Sequence, residues 1–176
     1  MRIKGIAWFA LMVSVATLFS CAKEEQKTIM ASQESEIEKY VKTLTGKRVE
    51  VNDGIWRVVI EEGTLEERSV KPGDSLWFDY AAYIFSSGKG TLFDTNIYEI
   101  AKLSGAQLDF DYLVTRREIV GKGKLLAGLD RGVVGAKKGE RCYVIFSARH
   151  GFGNTQIGLV PKMSPIILEV WVKDIK

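Results

Sequence analysis

Residues 120–133 read Val120-Gly121-Lys122-Gly123-Lys124-Leu125-Leu126-Ala127-Gly128-Leu129-Asp130-Arg131-Gly132-Val133. The stretch reads as the end of a strand, Glu118-Ile119-Val120, passing through a glycine turn into a short helix from about Leu125 to Val134. Towards the C-terminus, Gly135 to Gly139 is a turn, Glu140 to Ala148 a strand, Arg149 to Pro165 a Gly-rich loop and Ile166 to Ile175 a last strand. Towards the N-terminus, residues 95–117 are hard to read. Ile97 to Leu103 permits a short helix that Gly105 would end. Before them, Gly88-Lys89-Gly90 turns the chain into Thr91 to Asp94. A long strand from Ser75 to Ser86 is crowded with Trp77, Phe78, Tyr80, Tyr83, Ile84 and Phe85 and opens at the turn Pro72-Gly73-Asp74.

Further upstream, Val49 and Val51 alternate with polar residues up to Asn52-Asp53-Gly54, a tight-turn signal, and Ile55 to Ile60 follows, predicting a hairpin. Ser35-Glu36-Ile37-Glu38 fits a capping box. Ile37, Tyr40, Val41 and Leu44 then share one helical face, and Gly46 supplies a stop. Strands outnumber short helices, so the class is α+β. A composition of 46% hydrophobic and 27% charged residues over 176 positions supports one core and excludes a disordered or fibrous chain. The formal charge of +3 falls to about +1 if Arg2 and Lys4 are removed. No basic run interleaved with aromatics appears, so nucleic-acid binding is not expected.

Six pieces fall in one order: Asp79-Tyr80, Gly88 to Phe93-Asp94, Val120 to Gly123, Leu125 to Val133, Gly139-Glu140, and Gly151-Phe152-Gly153 followed by Leu159-Val160-Pro161. Over roughly residues 70–176 this order and spacing resemble the FKBP-type peptidyl-prolyl cis–trans isomerases. The resemblance implies a strongly twisted antiparallel sheet wrapped around a short α-helix, here with an N-terminal helix and hairpin extension over 32–69, and a shallow apolar pocket. It also implies roles. Tyr80 and the pair Phe93-Asp94 match the family's pocket Tyr and Phe-Asp pair. Leu125 and Leu126 match two aliphatics, the second offering its N–H to the substrate. Leu159 and Val160 match the aliphatic pair of the flap, and Leu168 an inward aromatic of the last strand. Two positions depart: Leu129 stands where studied members have a Trp floor, and Phe152 where they have a Tyr whose hydroxyl bonds the substrate carbonyl. The segment from Asp94 to Leu126 is also longer than in a minimal member.

The chemistry suits these residue types. Rotation about an Xaa-Pro amide faces a barrier of about 20 kcal/mol. The twisted amide loses resonance, so its carbonyl is less polar and less well hydrated. An apolar pocket that strips water from the planar amide therefore favours the twisted form, without metal or cofactor. Proline-containing polypeptides are the partners this implies, and a monomer is expected. Each residue also has a plainer reading: Phe93, Leu126 and Leu129 as core, Asp94 as a cap on the bend after its strand, Tyr80 as a satisfied core phenol, Phe152 as a loop anchor. A non-catalytic polypeptide-binding domain thus stands beside the isomerase.

The first twenty residues read as a targeting signal. Arg2 and Lys4 precede an uncharged apolar run, Gly5 to Phe19, that is short for a spanning helix. Leu18-Phe19-Ser20-Cys21 resembles the bacterial lipobox, which implies cleavage before Cys21 and its modification by diacylglycerol and a further acyl chain such as palmitate. Cys21 is the expected membrane anchor, residues 21–31 are the expected tether, and Lys23-Glu24-Glu25 resembles a short acidic export tag. Ala22 is not the Asp of an inner-membrane retention signal, which points to an outer-membrane lipoprotein on the periplasmic or surface face. Cys142 is then left alone inside an apolar run, as a buried structural thiol. His150 is the single His, so a His-based triad or a multi-His metal site is excluded.

Overall fold

A computed structural model describes residues 3–64, 68–104 and 113–176, with side chains from residue 23 onward. The elements in chain order are α1 (Ile3–Thr43), β1 (Arg48–Asn52), β2 (Ile55–Glu61), β3 (Ser75–Phe85), β4 (Lys89–Thr95), α2 (Tyr98–Ser104), β5 (Arg116–Ile119), α3 (Ala127–Gly132), β6 (Arg141–Phe146) and β7 (Ile166–Ile175). A single 3-10 turn, Ala148–His150, follows β6. The strands form one antiparallel sheet in the order β1-β2-β6-β7-β3-β4, and β5 pairs with the first half of the β3 edge whose second half pairs with β4. This is the α+β architecture expected, an antiparallel sheet around the short helix α3.

Strand alternation sorts the core into two clusters. On β6, Cys142, Val144 and Phe146 join Leu168 and Val170 of β7 and Phe78, Tyr80 and Ala82 of β3 around α3. The intervening residue Ile145 joins Ile167, Trp56, Val58 and Phe85 beneath α1, whose Ile37 and Val41 complete that cluster. Helix α3 lies very close to the sheet because it carries Gly128 and Gly132. A Cβ at Gly128 would meet the Phe146 ring at 2.3 Å, and one at Gly132 would meet Val144 at 2.3 Å. The 52–54 turn closes the β1–β2 hairpin with Asp53 and Gly54 both at positive φ, 49° and 73°.

Two expectations change. Residues 21–31, expected as a tether, are helical, because α1 is one continuous helix rather than a segment beginning near Ser35. Its docking is polar as well as apolar: the Gln33 amide donates to the Met163 carbonyl and accepts from the Ala148 N–H at 3.0 Å. The hairpin extension is built into the sheet, since β2 pairs with β6 from Ile55 to Glu61. Helix α3 is shorter than expected at both ends. The side chains of Arg2, Lys4, Gly5 to Phe19, Ser20 and Cys21, and the residue Gly105, lie outside the described residues. Among the described residues no helix is long and apolar enough to cross a membrane.

Buried charges are paired. Arg57 and Glu140 are almost fully enclosed and bond each other, with Glu50 on the second guanidinium nitrogen. Cys142 is fully buried and its thiol is pushed far up by burial, as a structural thiol should be. His150 is 3% exposed. Its Nε2 lies 2.7 Å from the Asp53 carbonyl and its Nδ1 faces the Arg131 guanidinium. A carbonyl only accepts and a guanidinium only donates, so the ring is the neutral Nε2–H tautomer.

Candidate functional site

The site is built where β3, β4 and the α3 end of the chain meet. Strand register places Ala82 opposite Asp94 and Ala81 opposite Thr95, with a shift just beyond Ala82. The Tyr80 ring therefore reaches diagonally across to β4, where its hydroxyl donates to Asp94 Oδ2 at 2.8 Å. Two neighbours of Asp94 lock this geometry. Thr95 Oγ1 donates to the Tyr80 carbonyl at 2.7 Å, and the Tyr80 N–H donates to Asn96 Oδ1 at 2.7 Å. The Asn96 amide also donates to the Val114 carbonyl at 2.8 Å, tying the chain ahead of β5 to the same point. The bend after β4 is capped by Thr95, whose hydroxyl takes the Ile97 N–H at 3.1 Å, and not by Asp94.

Beside this pair opens a cavity of about 290 Å³. Its floor is Leu129 and Leu168, both buried, with Phe78 and Ala82 of β3. Its walls are Leu125, the half-buried Leu126, and Phe93 facing Phe152 edge-on at a centroid distance of 6.3 Å. Among the described residues nothing accepts the Leu126 N–H, which heads α3. Tyr80, Asp94, Arg116 and Lys124 complete the lining. Burial, and then the Asp94 charge, push the Tyr80 phenol up to about 12, while Arg116 acts the other way. The phenol is therefore a protonated donor throughout the neutral range.

Of the residues singled out from sequence, the structure brings eight together here: Tyr80, Phe93, Asp94, Leu125, Leu126, Leu129, Phe152 and Leu168. Two others do not line the cavity. Ile157 and Val160 exchange backbone hydrogen bonds at 3.0 and 2.8 Å, which puts Gly158 and Leu159 at the tip of a tight loop. Leu159 is consequently 73% exposed, whereas Val160 is buried on the other side of that loop. Four lining residues are not anticipated by the sequence reading: Phe78 and Ala82, which share the inward face of β3 with Tyr80, and the cations Arg116 and Lys124. The period-two pattern of β3 contains the first two, but nothing local signals the cations. Among the described residues no cluster of His, Cys, Asp or Glu could hold a metal.

An open-mouthed, largely apolar cavity with one oriented phenol–carboxylate pair at its rim can bind a small apolar ring and remove water from the amide attached to it. Comparison with known proteins agrees in fold and sequence. The family model for FKBP-type peptidyl-prolyl cis-trans isomerase matches residues 66–173. FK506-binding protein 1 of Aspergillus oryzae is 27% identical over 120 residues, covering 66% of this chain and 94% of that protein. FK506-binding protein 1B of Emericella nidulans is 27% identical over 122 residues, covering 66% and 92%. Among solved structures, the three FKBP domains of wheat FKBP73 match with a TM-score of 0.59 at 23% identity. That match covers 74% of this chain and spans about half, 51%, of the wheat chain. FkpA from Escherichia coli matches with a TM-score of 0.58 at 18% identity, over 100% of this chain and 74% of that one.

Proposed function

Because the chain belongs to the FKBP-type peptidyl-prolyl cis-trans isomerase family, we propose that it is itself a prolyl isomerase that assists the folding of exported, proline-containing polypeptides in the cell envelope. The observation that carries this reading is the apolar cavity whose rim holds the Tyr80–Asp94 hydrogen bond at 2.8 Å. The proline ring enters between Phe93, Phe152 and Leu129. Water leaves the preceding amide, and the planar form, which needs that hydration most, loses more than the twisted one. Tyr80 and Asp94 orient the peptide at the rim, and the Leu126 N–H takes a substrate carbonyl. The chain's own groups perform every step, since rotation about the amide requires no proton transfer or bond cleavage.

A second reading, a polypeptide-holding domain without turnover, is favoured by Leu129 and Phe152 at positions where the family resemblance implies Trp and Tyr. A protease-coupled isomerisation assay on the full chain separates the two. Relaxation of Xaa-Pro peptides, which takes tens of seconds unaided, is expected to quicken in proportion to protein concentration. Rates indistinguishable from buffer across several residues before Pro would leave the holding domain.

The N-terminus belongs to the same reading. Leu18-Phe19-Ser20-Cys21 supports lipidation at Cys21 and an outer-membrane location on the periplasmic or surface face. With the helix continuous from there, the eleven residues from Ala22 to Ser32 form a standoff of about 17 Å at about 1.5 Å per residue between the anchor and the Gln33 docking point.

A further inference from the structure

The lining of the cavity is not wholly apolar, and its charge is uneven. Arg116, from β5, and Lys124, two residues ahead of Leu126, both border it against a single carboxylate, Asp94. Arg116 is already engaged: its Nε and Nη2 both donate to Glu118 Oε1, at 3.1 and 3.0 Å, with Glu118 outside the cavity. Asp94 holds the Tyr80 hydroxyl. Lys124 is exposed, and among the described residues no carboxylate lies within ion-pair reach of its ammonium. Lys122, two positions before it in the same glycine turn, is likewise exposed and without such a partner among the described residues. The mouth of the cavity therefore ends on a solvated cation that the fold does not use.

We propose that the site selects proline-containing peptides with an aspartate or glutamate directly beside the proline, and that Lys124 is the specificity-determining residue. This rests on the reading of the cavity as a proline site. With the ring seated on Leu129, the neighbouring α-carbons are only about 3–4 Å further along the peptide, in the cis or the trans form. Their side chains must leave through the mouth that Lys124 borders. A carboxylate there meets an unneutralised ammonium beside a low-dielectric wall, where attraction exceeds that in bulk water. A lysine at the same position meets like charge. Asp94 opposes this preference, but one of its oxygens already carries the Tyr80 proton donor and Arg116 stands close to the same phenol.

The test compares matched peptides with Glu, Gln or Lys before proline, and a second set with the same residues after it, using the full chain and the variants Lys124→Gln and Lys124→Glu. In low salt the parent is expected to turn over the Glu peptide of at least one set about three- to tenfold faster than its Lys counterpart in kcat/KM. The ratio should fall to within about twofold in Lys124→Gln and in roughly half-molar salt, where the Debye length is only a few ångström, and invert in Lys124→Glu. An active parent with equal rates for Glu and Lys peptides in both sets, or a ratio unmoved by Lys124→Gln, overturns the proposal and leaves the isomerase reading standing. If no peptide is turned over, fluorescence anisotropy of the labelled peptides decides. Tighter binding of the Glu peptide that is lost in Lys124→Gln sustains the preference while the isomerase reading falls. Equal binding, or none, overturns it.

Discussion

The Tyr80 hydroxyl donates to Asp94 Oδ2 at 2.8 Å, across two strands whose register sets the partners one diagonal apart. Tyr80 is buried and Asp94 exposed, so the bond runs from the core to the rim of the cavity. Removing the acid alone leaves the strand pairing intact, because Thr95 and Asn96 hold that junction by their own bonds to the Tyr80 backbone. Asp94→Ala should therefore cost no more than about 1 kcal/mol of stability. It should lower kcat/KM on Xaa-Pro peptides by about tenfold or more. Thermal melts and coupled isomerisation rates on the same preparation check both, and an unchanged rate with a large drop in melting temperature would make Asp94 structural.

Burial of the same phenol, with the Asp94 charge and hydrogen bond adding to it, gives an alkaline signature. The folded protein keeps the Tyr80 proton to about pH 12, whereas the unfolded chain releases it near pH 10. The contribution is then fully present below pH 10 and is lost as pH rises towards 12. Tyr80→Phe should be less stable than the parent at neutral pH and should lose stability less steeply above pH 10. Denaturant melts across that interval would show parallel curves if the phenol were not responsible.

Phe152 faces Phe93 edge-on and is half-buried in the cavity wall. Phe152→Tyr adds one hydroxyl to the wall without removing apolar contact. The expected result is a several-fold rise in kcat/KM, corresponding to about 1 kcal/mol for one neutral hydrogen bond, with the melting temperature nearly unchanged. A fall in activity would mean that the hydroxyl obstructs the proline instead of engaging its carbonyl.

On the opposite face, Ile37 is fully buried against Trp56, Val58, Phe85, Ile145 and Ile167. Ile37→Ala should destabilise by about 2–5 kcal/mol. Deleting residues 22–31, whose described side chains are largely exposed along α1, should leave the melting temperature unchanged. Chemical denaturation of the two variants tests whether α1 is a structural part of the domain.

Acid should loosen the corner where the hairpin meets α3. His150 is held below its ordinary pKa, first by burial, with the Asp53 carbonyl opposing and the cations Arg131 and Arg149 adding to the depression. A lowered histidine contributes stability that is complete above about pH 6.5 and is lost as pH falls through the depressed value. Protonation would set Nδ1–H against the Arg131 donor. His150→Gln should flatten the stability profile below about pH 6.5, and an unchanged profile would place the acid sensitivity elsewhere.

Strands are legible because each pairs an apolar face with sharp turn chemistry. Asn52-Asp53-Gly54 and the alternation through β6 and β7 locate their elements to within a residue or two. The extent of α1 is not, since residues 22–34 carry no apolar stripe and owe their place to continuity with Ile37 and to one buried amide, Gln33. Leu159 and Val160 illustrate a general limit: adjacent residues in a tight loop face opposite ways, and the backbone bond between Ile157 and Val160 decides which is inward. Arg116 and Lys124 are invisible as site residues because a charge beside a cavity and a charge on a solvated turn have the same local sequence.

Gly128 and Gly132 give the last consequence. The gap between α3 and β6 is set by atoms that are absent, and α3 carries Leu129, with Leu125 and Leu126 directly ahead of its first turn. A single methyl at either glycine would act as a wedge, raising one wall and the floor as a rigid piece while the sheet below stays paired. Cavity depth is thus adjustable from two positions that do not line the cavity. They are tuning points for grip, independent of the surface the peptide meets.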